Sequence, residues 1–162
     1  MMRKNMNRIF ILKMICSTGI ALAITATCNA QENKIDSHDL PTAVQKTIAE
    51  QAKGATIRGY STEVEKGKRL YEVQLTVNGH SKDISMDASG AILAIEEEVS
   101  IDSLHANVKE ALIKAAGTGT ITKVESITKN GKLVAYEAAI KSGSKRSEIQ
   151  VGPEGNKLTK PE

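Results

Sequence analysis

The sequence predicts an α+β fold of two tandem repeats, each with one helix packed on an antiparallel sheet of about four strands. Two observations support this fold. An amphipathic helical pattern followed by alternating strand patterns occurs twice in the chain. In each copy a Tyr-Glu pair opens a strand, at Tyr71 and Tyr136, and a glycine follows nineteen residues later, at Gly90 and Gly155. Spacing preserved over this length indicates an internal duplication.

Residues 1–30 have the layout of a secretory signal peptide. Arg3, Lys4 and Arg8 form a basic region, residues 9–26 are largely apolar, and a small residue, Ala30, ends the segment. We expect cleavage after Ala30. A retained membrane anchor is one alternative, but the uninterrupted apolar part, residues 14–26, is shorter than the ~20 residues that a spanning helix needs. Lipidation of Cys28 is the other, but Thr25 and Thr27 do not suit the positions before a lipidated cysteine.

The leader accounts for the chain's cysteines and for its basic charge. Both cysteines lie in it, so the cleaved chain is predicted to have no thiol chemistry. Of the 22 basic residues, four lie in the leader, which leaves 18 against 19 acidic residues. We therefore expect no nucleic-acid partner, and membrane contact only transiently, through the signal peptide.

The first repeat is predicted to span residues 40–99, after a polar flexible tail at residues 31–39. Apolar residues recur at every fourth position from Leu40 to Ala52, which indicates a helix. A β-rich stretch, a Gly67 turn and an alternating strand from Tyr71 follow. Asn78-Gly79 is a strong hairpin signal. The acidic run at residues 96–98 is expected to end the last strand in solvent.

The second repeat, residues 100–158, follows the same order, and residues 159–162 form a polar tail. Its helix aligns with the first at an offset of 64 residues, as Val44 and Val108 show. Asn130-Gly131 is the matching hairpin turn, and Tyr136 opens the second core strand.

The repeat resembles the PepSY domain. The residues that carry this resemblance lie in the first copy: Glu63, Gly67, Lys68, Tyr71, Glu72, Val73, Asn78, Gly79, Asp87, Gly90 and Ile92. The second copy departs from the pattern, with Gly152 in place of the Asp and Ala138 in place of the Val. The tandem arrangement is similar to PepSY-like proteins related in fold to the β-lactamase inhibitory protein. The resemblance implies a secreted, non-enzymatic module, and some relatives are thought to restrain peptidases or bind envelope proteins.

Catalytic and metal-binding patterns are missing from the sequence. No G-x-S-x-G occurs, and none of His38, His80 and His105 has a second ligand at a recognised metal-binding spacing. The turn at Asp87 lacks the carboxylate ladder of a calcium loop. We therefore expect no enzymatic activity, no metal site and no cofactor.

The polar face of the strands is the candidate partner surface, because a sheet covered by helices on one side leaves the other side open. Glu137 shares the strand phase of this surface. Its main residues are Glu72, Gln74, Thr76, Asp83, Ser85, Lys141, Glu148 and Gln150. We expect a secreted or periplasmic module that contacts an envelope or secreted protein and restrains a peptidase or other envelope protein. An envelope metal or small-ligand binding protein is the alternative.

Overall fold

The computed structural model describes residues 33–65, 67–158 and 160–162. The predicted signal peptide and its cleavage site after Ala30 lie outside the described residues. Within the described part of the chain, no helix is both long and apolar enough to cross a membrane.

The fold is α+β, with eight antiparallel strands and two helices, as the sequence predicts at that level. The strands form one sheet in the order β1 to β8, so every sheet neighbour is also a chain neighbour. Short 3-10 turns precede each helix, at Ser37–Asp39 and Ile101–Ser103. The elements in chain order are β1 (Asn33–Ile35), α1 (Thr42–Gln51), β2 (Thr56–Glu65), β3 (Lys68–Val77), β4 (His80–Met86), β5 (Ile92–Glu98), α2 (Ala106–Ala116), β6 (Thr120–Lys129), β7 (Lys132–Ser142) and β8 (Lys145–Val151).

Each helix buries its apolar stripe against its own part of the sheet. Val44 and Ile48 of α1 belong to a buried cluster with Val73 and Ile84. Val108 and Leu112 of α2 belong to a second cluster, whose strand residues are Val124, Ala138 and Val151. The strand registers place the strand residues of both clusters on the same side of the sheet. Both helices therefore cover one face and leave the other without a helix.

The acidic run at residues 96–98 does not end a strand in solvent, contrary to the sequence-based expectation. β5 continues to Glu98 and pairs with β6, with Glu98 opposite Glu125. Backbone pairing between β5 and β6 therefore joins the two halves of the sheet. The charged side chains gave no indication of this pairing, because it depends on a strand far along the chain.

The segment expected to be a flexible tail, residues 31–39, contains a strand and a 3-10 turn where the structure describes it. β1 pairs with β2, and Ile35 lies opposite Tyr60 and packs against the α1 cluster. Asp36 and Asp39 then form a reciprocal capping box on the following turn. Pairing with the edge of β2 and the packing of Ile35 place this polar segment against the sheet.

Two glycines lie in turns that pack against the first turn of each helix. Gly90 has φ +79°, and an added Cβ there would lie 2.6 Å from the Ala43 carbonyl oxygen. Gly155 has φ +77°, and its Cβ would lie 2.6 Å from the Asn107 carbonyl oxygen. These two glycines, which the sequence spacing singled out, are required by close backbone approach.

Candidate functional site: the open face of the sheet

The candidate site is the face of the sheet opposite the two helices, called the open face below. Its side chains belong to the residues that alternate with the positions facing the two helices. The structure places all eight predicted partner residues on this face, in two groups. Glu72, Gln74, Thr76, Asp83 and Ser85 lie on the paired strands β3 and β4. Lys141, Glu148 and Gln150 lie on β7 and β8, with Lys141 near the β7–β8 turn.

Sequence reasoning missed the centre of the open face, which lies on β5 and β6 between those two groups. Glu96 lies opposite Asp83 on one side and Ile127 on the other. Glu125 lies between Glu98 and Glu137. The period-2 alternation of Ala94, Glu96 and Glu98 could have indicated these positions, but the unbroken run of three glutamates obscured it.

The centre of the open face is shielded from water although no helix covers it. Glu125 is 5% exposed and Glu137 is 8% exposed. On β2 of the same face, Ser61 is 2% exposed. Neighbouring side chains provide this burial, and charges there interact more strongly than charges on an ordinary wet surface.

Lys123 supplies the counter-charge for the buried Glu125. The Lys123 Nζ lies 2.6 Å from Glu125 Oε1, and the two side chains are 15% and 7% exposed. The Ser81 hydroxyl is within hydrogen-bond distance of both Glu125 Oε1 (3.3 Å) and Glu98 Oε2 (3.1 Å). Glu125 is thus held in place by a cation and a hydroxyl from two different strands.

Glu137 is held by a neutral partner. Gln150 Nε2 donates to Glu137 Oε2 at 2.7 Å. Burial raises the pKa of Glu137 to about 7, with the charge of Glu148 adding to the rise and the Gln150 hydrogen bond opposing it. Glu137 therefore changes its charge near neutral pH.

Glu96 is surrounded by other carboxylates. Burial is the largest cause of its raised pKa, which reaches about 8. The charges of Glu137, Glu125, Glu72 and Asp83 follow, and each raises the pKa further. Glu96 therefore keeps its proton at neutral pH, and a cation nearby would offset the part of the rise that comes from the neighbouring carboxylates.

The β3–β4 end of the open face is already paired. Gln74 Nε2 donates to Glu72 Oε1 at 3.0 Å. Arg58, the extra residue of a bulge in β2, reaches across β3 and donates to Asp83 Oδ1 at 2.6 Å. The Arg58–Asp83 pair at this end corresponds to the Lys123–Glu125 pair at the centre, whereas the charges that shift the pKa of Glu96 are carboxylates.

A second group of polar side chains lies on the turn between β1 and α1. Among the described residues, Asp36, His38 and Asp39 are the group whose donor atoms all lie within 4.8 Å of one another. The sequence shows no recognised metal-ligand spacing at His38, and the 3-10 turn brings the carboxylates of Asp36 and Asp39 close to its imidazole. All three side chains are exposed.

Asp87 acts within its own turn. Its Oδ1 accepts hydrogen bonds from the backbone N–H of Ser89 (2.8 Å) and of Ala91 (3.1 Å). The Ser89 hydroxyl donates to the same oxygen, and it is the largest cause of the lowered pKa of Asp87. These contacts describe an Asx turn.

No family model and no curated protein matches the chain. Solved structures do resemble it. A DUF2874 family protein of Bacteroides ovatus is 18% identical, with 74% of this chain and 85% of that one covered and a TM-score of 0.57. A BLIP-like protein of Bacteroides fragilis is 21% identical, with 75% and 85% covered and a TM-score of 0.55.

A third solved structure, a provisionally named periplasmic protein of Bacteroides eggerthii, is 15% identical. The match covers 75% of this chain and 88% of that one, with a TM-score of 0.60. Identities this low establish the fold alone. The chain therefore has the α+β fold of the BLIP-like and DUF2874 structures.

Proposed function

We propose that this protein is a non-enzymatic binding module of the cell envelope, periplasmic or secreted, that holds a basic segment of a partner protein on its open face. The observation that carries this proposal is the row of carboxylates across that face, of which Glu125 and Glu137 are reached poorly by water. The set comprises Glu72, Asp83, Glu96, Glu98, Glu125, Glu137 and Glu148.

Charge complementarity favours a basic partner over an acidic or neutral one. Among the described cations, Lys123 is paired with Glu125 and Arg58 with Asp83. Glu96 instead lies among charges of its own sign. A lysine or arginine from a partner would relieve that repulsion in a poorly hydrated place, where a charge pair is strong if its geometry is good.

The internal layout of the molecule supports the two-repeat part of the proposal. Each half has one helix on its own buried cluster. Gly90 and Gly155 make the same close approach to the start of the helix in their half. We propose that the chain is a tandem duplication of a PepSY-like unit, in keeping with the residues that carry that resemblance.

The more specific proposal is that the protein inhibits the partner it binds. The PepSY-like resemblance includes relatives that are thought to restrain peptidases, and one solved structure of similar fold is named BLIP-like. We propose that holding a basic segment of a peptidase or other envelope protein restrains it. We interpret the raised pKa values of Glu96 and Glu137 as a property of a binding surface and not of groups that transfer protons in a reaction. We therefore expect no turnover.

A defined cationic probe tests the proposal directly. Titration calorimetry at low salt would measure binding of a ten-residue lysine peptide, with a ten-residue glutamate peptide as the negative probe. We expect the lysine peptide to bind and Glu96→Lys to weaken that binding at least tenfold. Glu50→Lys makes the same charge change on the exposed surface of α1 and serves as the matched control. Equal weakening by both variants would show a general charge effect and overturn the proposal.

A metal-binding role is the second candidate, and the turn that holds Asp36, His38 and Asp39 favours it. One imidazole nitrogen and two carboxylate oxygens suit zinc or another divalent transition metal. Cobalt provides a visible test, because its absorption bands change when a histidine nitrogen binds it. His38→Ala should abolish the change and His105→Ala should keep it. An unchanged spectrum with the unaltered protein would remove this candidate.

A further inference from the structure

After β8 the chain turns back along the sheet. The Gly155 N–H donates to the Gly152 carbonyl at 2.9 Å, and the Gly152 N–H donates to the Asn156 carbonyl at 2.8 Å. Lys157 then lies opposite Val151 in an antiparallel bridge. These contacts bring Lys157 back alongside β8, the strand that carries Gln150.

The returning chain contacts the open face at Gln150. The backbone N–H of Glu162 donates to Gln150 Oε1 at 2.8 Å. The Nε2 of the same side chain donates to Glu137 Oε2 at 2.7 Å. Gln150 therefore links residue 162 to a carboxylate of the candidate site, because its amide oxygen and its amide nitrogen are both hydrogen-bonded.

We infer that residues 160–162 are a strap on the β8 end of the open face, which a basic partner must displace before it contacts Glu137 fully. This inference rests on the proposed function, since it names a competitor for the same surface. The strap acts through Gln150. While Glu162 donates to Oε1, the amide is oriented with its NH2 group toward Glu137.

Loss of the strap would free Gln150 to turn away from Glu137. The carboxylate would then lose its neutral donor and be open to a partner's ammonium or guanidinium group. The strap is held by the hydrogen bond from the Glu162 N–H to Gln150. A neutral hydrogen bond of this kind contributes about 1 kcal/mol net, which corresponds to about fivefold in an equilibrium constant. The strap should therefore reduce affinity several-fold rather than block binding.

Binding of the ten-residue lysine peptide to the full chain and to a chain ending at Leu158 tests the inference. The deletion removes one lysine and one glutamate, Lys160 and Glu162, so the formal side-chain charge stays constant. We expect about fivefold tighter binding by the shortened chain. Equal binding by both chains would overturn the strap alone. Absence of binding by both would overturn the strap and the proposed function together.

Amide hydrogen exchange supplies a readout that needs no partner. The Glu162 amide should exchange about fivefold faster in Gln150→Ala than in the unaltered chain. Gln74→Ala is the matched control, because Gln74 also donates to a glutamate of the open face, Glu72, at 3.0 Å. An exchange rate at Glu162 that is the same in all three proteins would overturn the contact on which the strap depends.

Discussion

Glu137 raises the pKa of Glu96 although the two residues lie on β7 and β5, with β6 between them. On β6 the residue opposite Glu96 is Ile127, which carries no charge that could screen the pair. Lys123, also on β6, is paired with Glu125 and lowers the pKa of Glu137, but the pKa of Glu137 stays raised at about 7. The repulsion between Glu96 and Glu137 therefore persists across the sheet.

Folding stability should fall as pH rises from about 5 to 8. Glu96 and Glu137 have pKa values raised from 4.5 to about 8 and about 7. Between 4.5 and those values the unfolded chain has lost protons that the folded chain keeps, so raising the pH favours unfolding. Each titrating carboxyl contributes a slope of up to about 1.4 kcal/mol per pH unit. Urea unfolding at pH 5, 6, 7 and 8 measures the slope.

Glu96→Gln should flatten this pH dependence. The amide resembles the protonated carboxyl in shape and has no charge to desolvate. At pH 8 the variant should be more stable than the unaltered protein by more than about 1.4 kcal/mol, and at pH 5 the two should be nearly equal. A parallel shift of the whole stability curve would contradict the assignment of the slope to Glu96.

Lys123→Met should destabilise the protein by about 3 kcal/mol at pH 7, because it leaves the carboxylate of Glu125 buried without its cation. The free energy of unfolding in urea measures the loss. The double variant Lys123→Met, Glu125→Leu should recover most of it, since an apolar pair of similar volume costs little in place of a buried ion pair. A double variant that is as unstable as the single one would show that lost packing, and not the unpaired charge, is the cause.

Helices and hairpin turns were predictable because local rules determine them. The spacing of Val44 and Ile48 indicates a helix whatever lies elsewhere in the chain. Asn78 and Asn130 adopt positive φ values of 51° and 50°, as their Asn-Gly turns require. For the same reason, strand alternation placed Glu72 and Gln150 on the face that Val73 does not use.

The β5–β6 pairing could not be read from the sequence in this way. It joins segments about thirty residues apart, and its partners, Glu98 and Glu125, are like charges that favour solvent when considered singly. The carboxylate cluster exists only once this pairing forms. The centre of the candidate site was missed for that reason, whereas its two flanking groups were found.

Gly90→Ala and Gly155→Ala should each destabilise the protein by about 2–3 kcal/mol, because each combines an unfavourable positive φ with a backbone clash at a helix start. Gly79→Ala is the matched control. Gly79 has φ +87° but no atom within 4 Å of an added Cβ, so only the conformational cost of about 1 kcal/mol applies. Equal losses in thermal or urea unfolding for all three variants would show that the contacts with Ala43 and Asn107 contribute nothing.

Binding of a basic peptide to the open face should strengthen as pH rises from 6 to 8.5, opposite to the trend in folding stability. Protons held by Glu96 and Glu137 at pH 6 leave as the pH passes their pKa values of about 8 and 7, which makes the face more negative. A bound ammonium group favours the ionised carboxylates, so binding at pH 7 should release protons. Calorimetry in two buffers of different ionisation enthalpy measures that release. Glu96→Gln should reduce it, and a peptide affinity that falls with pH would contradict a role for these carboxylates in binding.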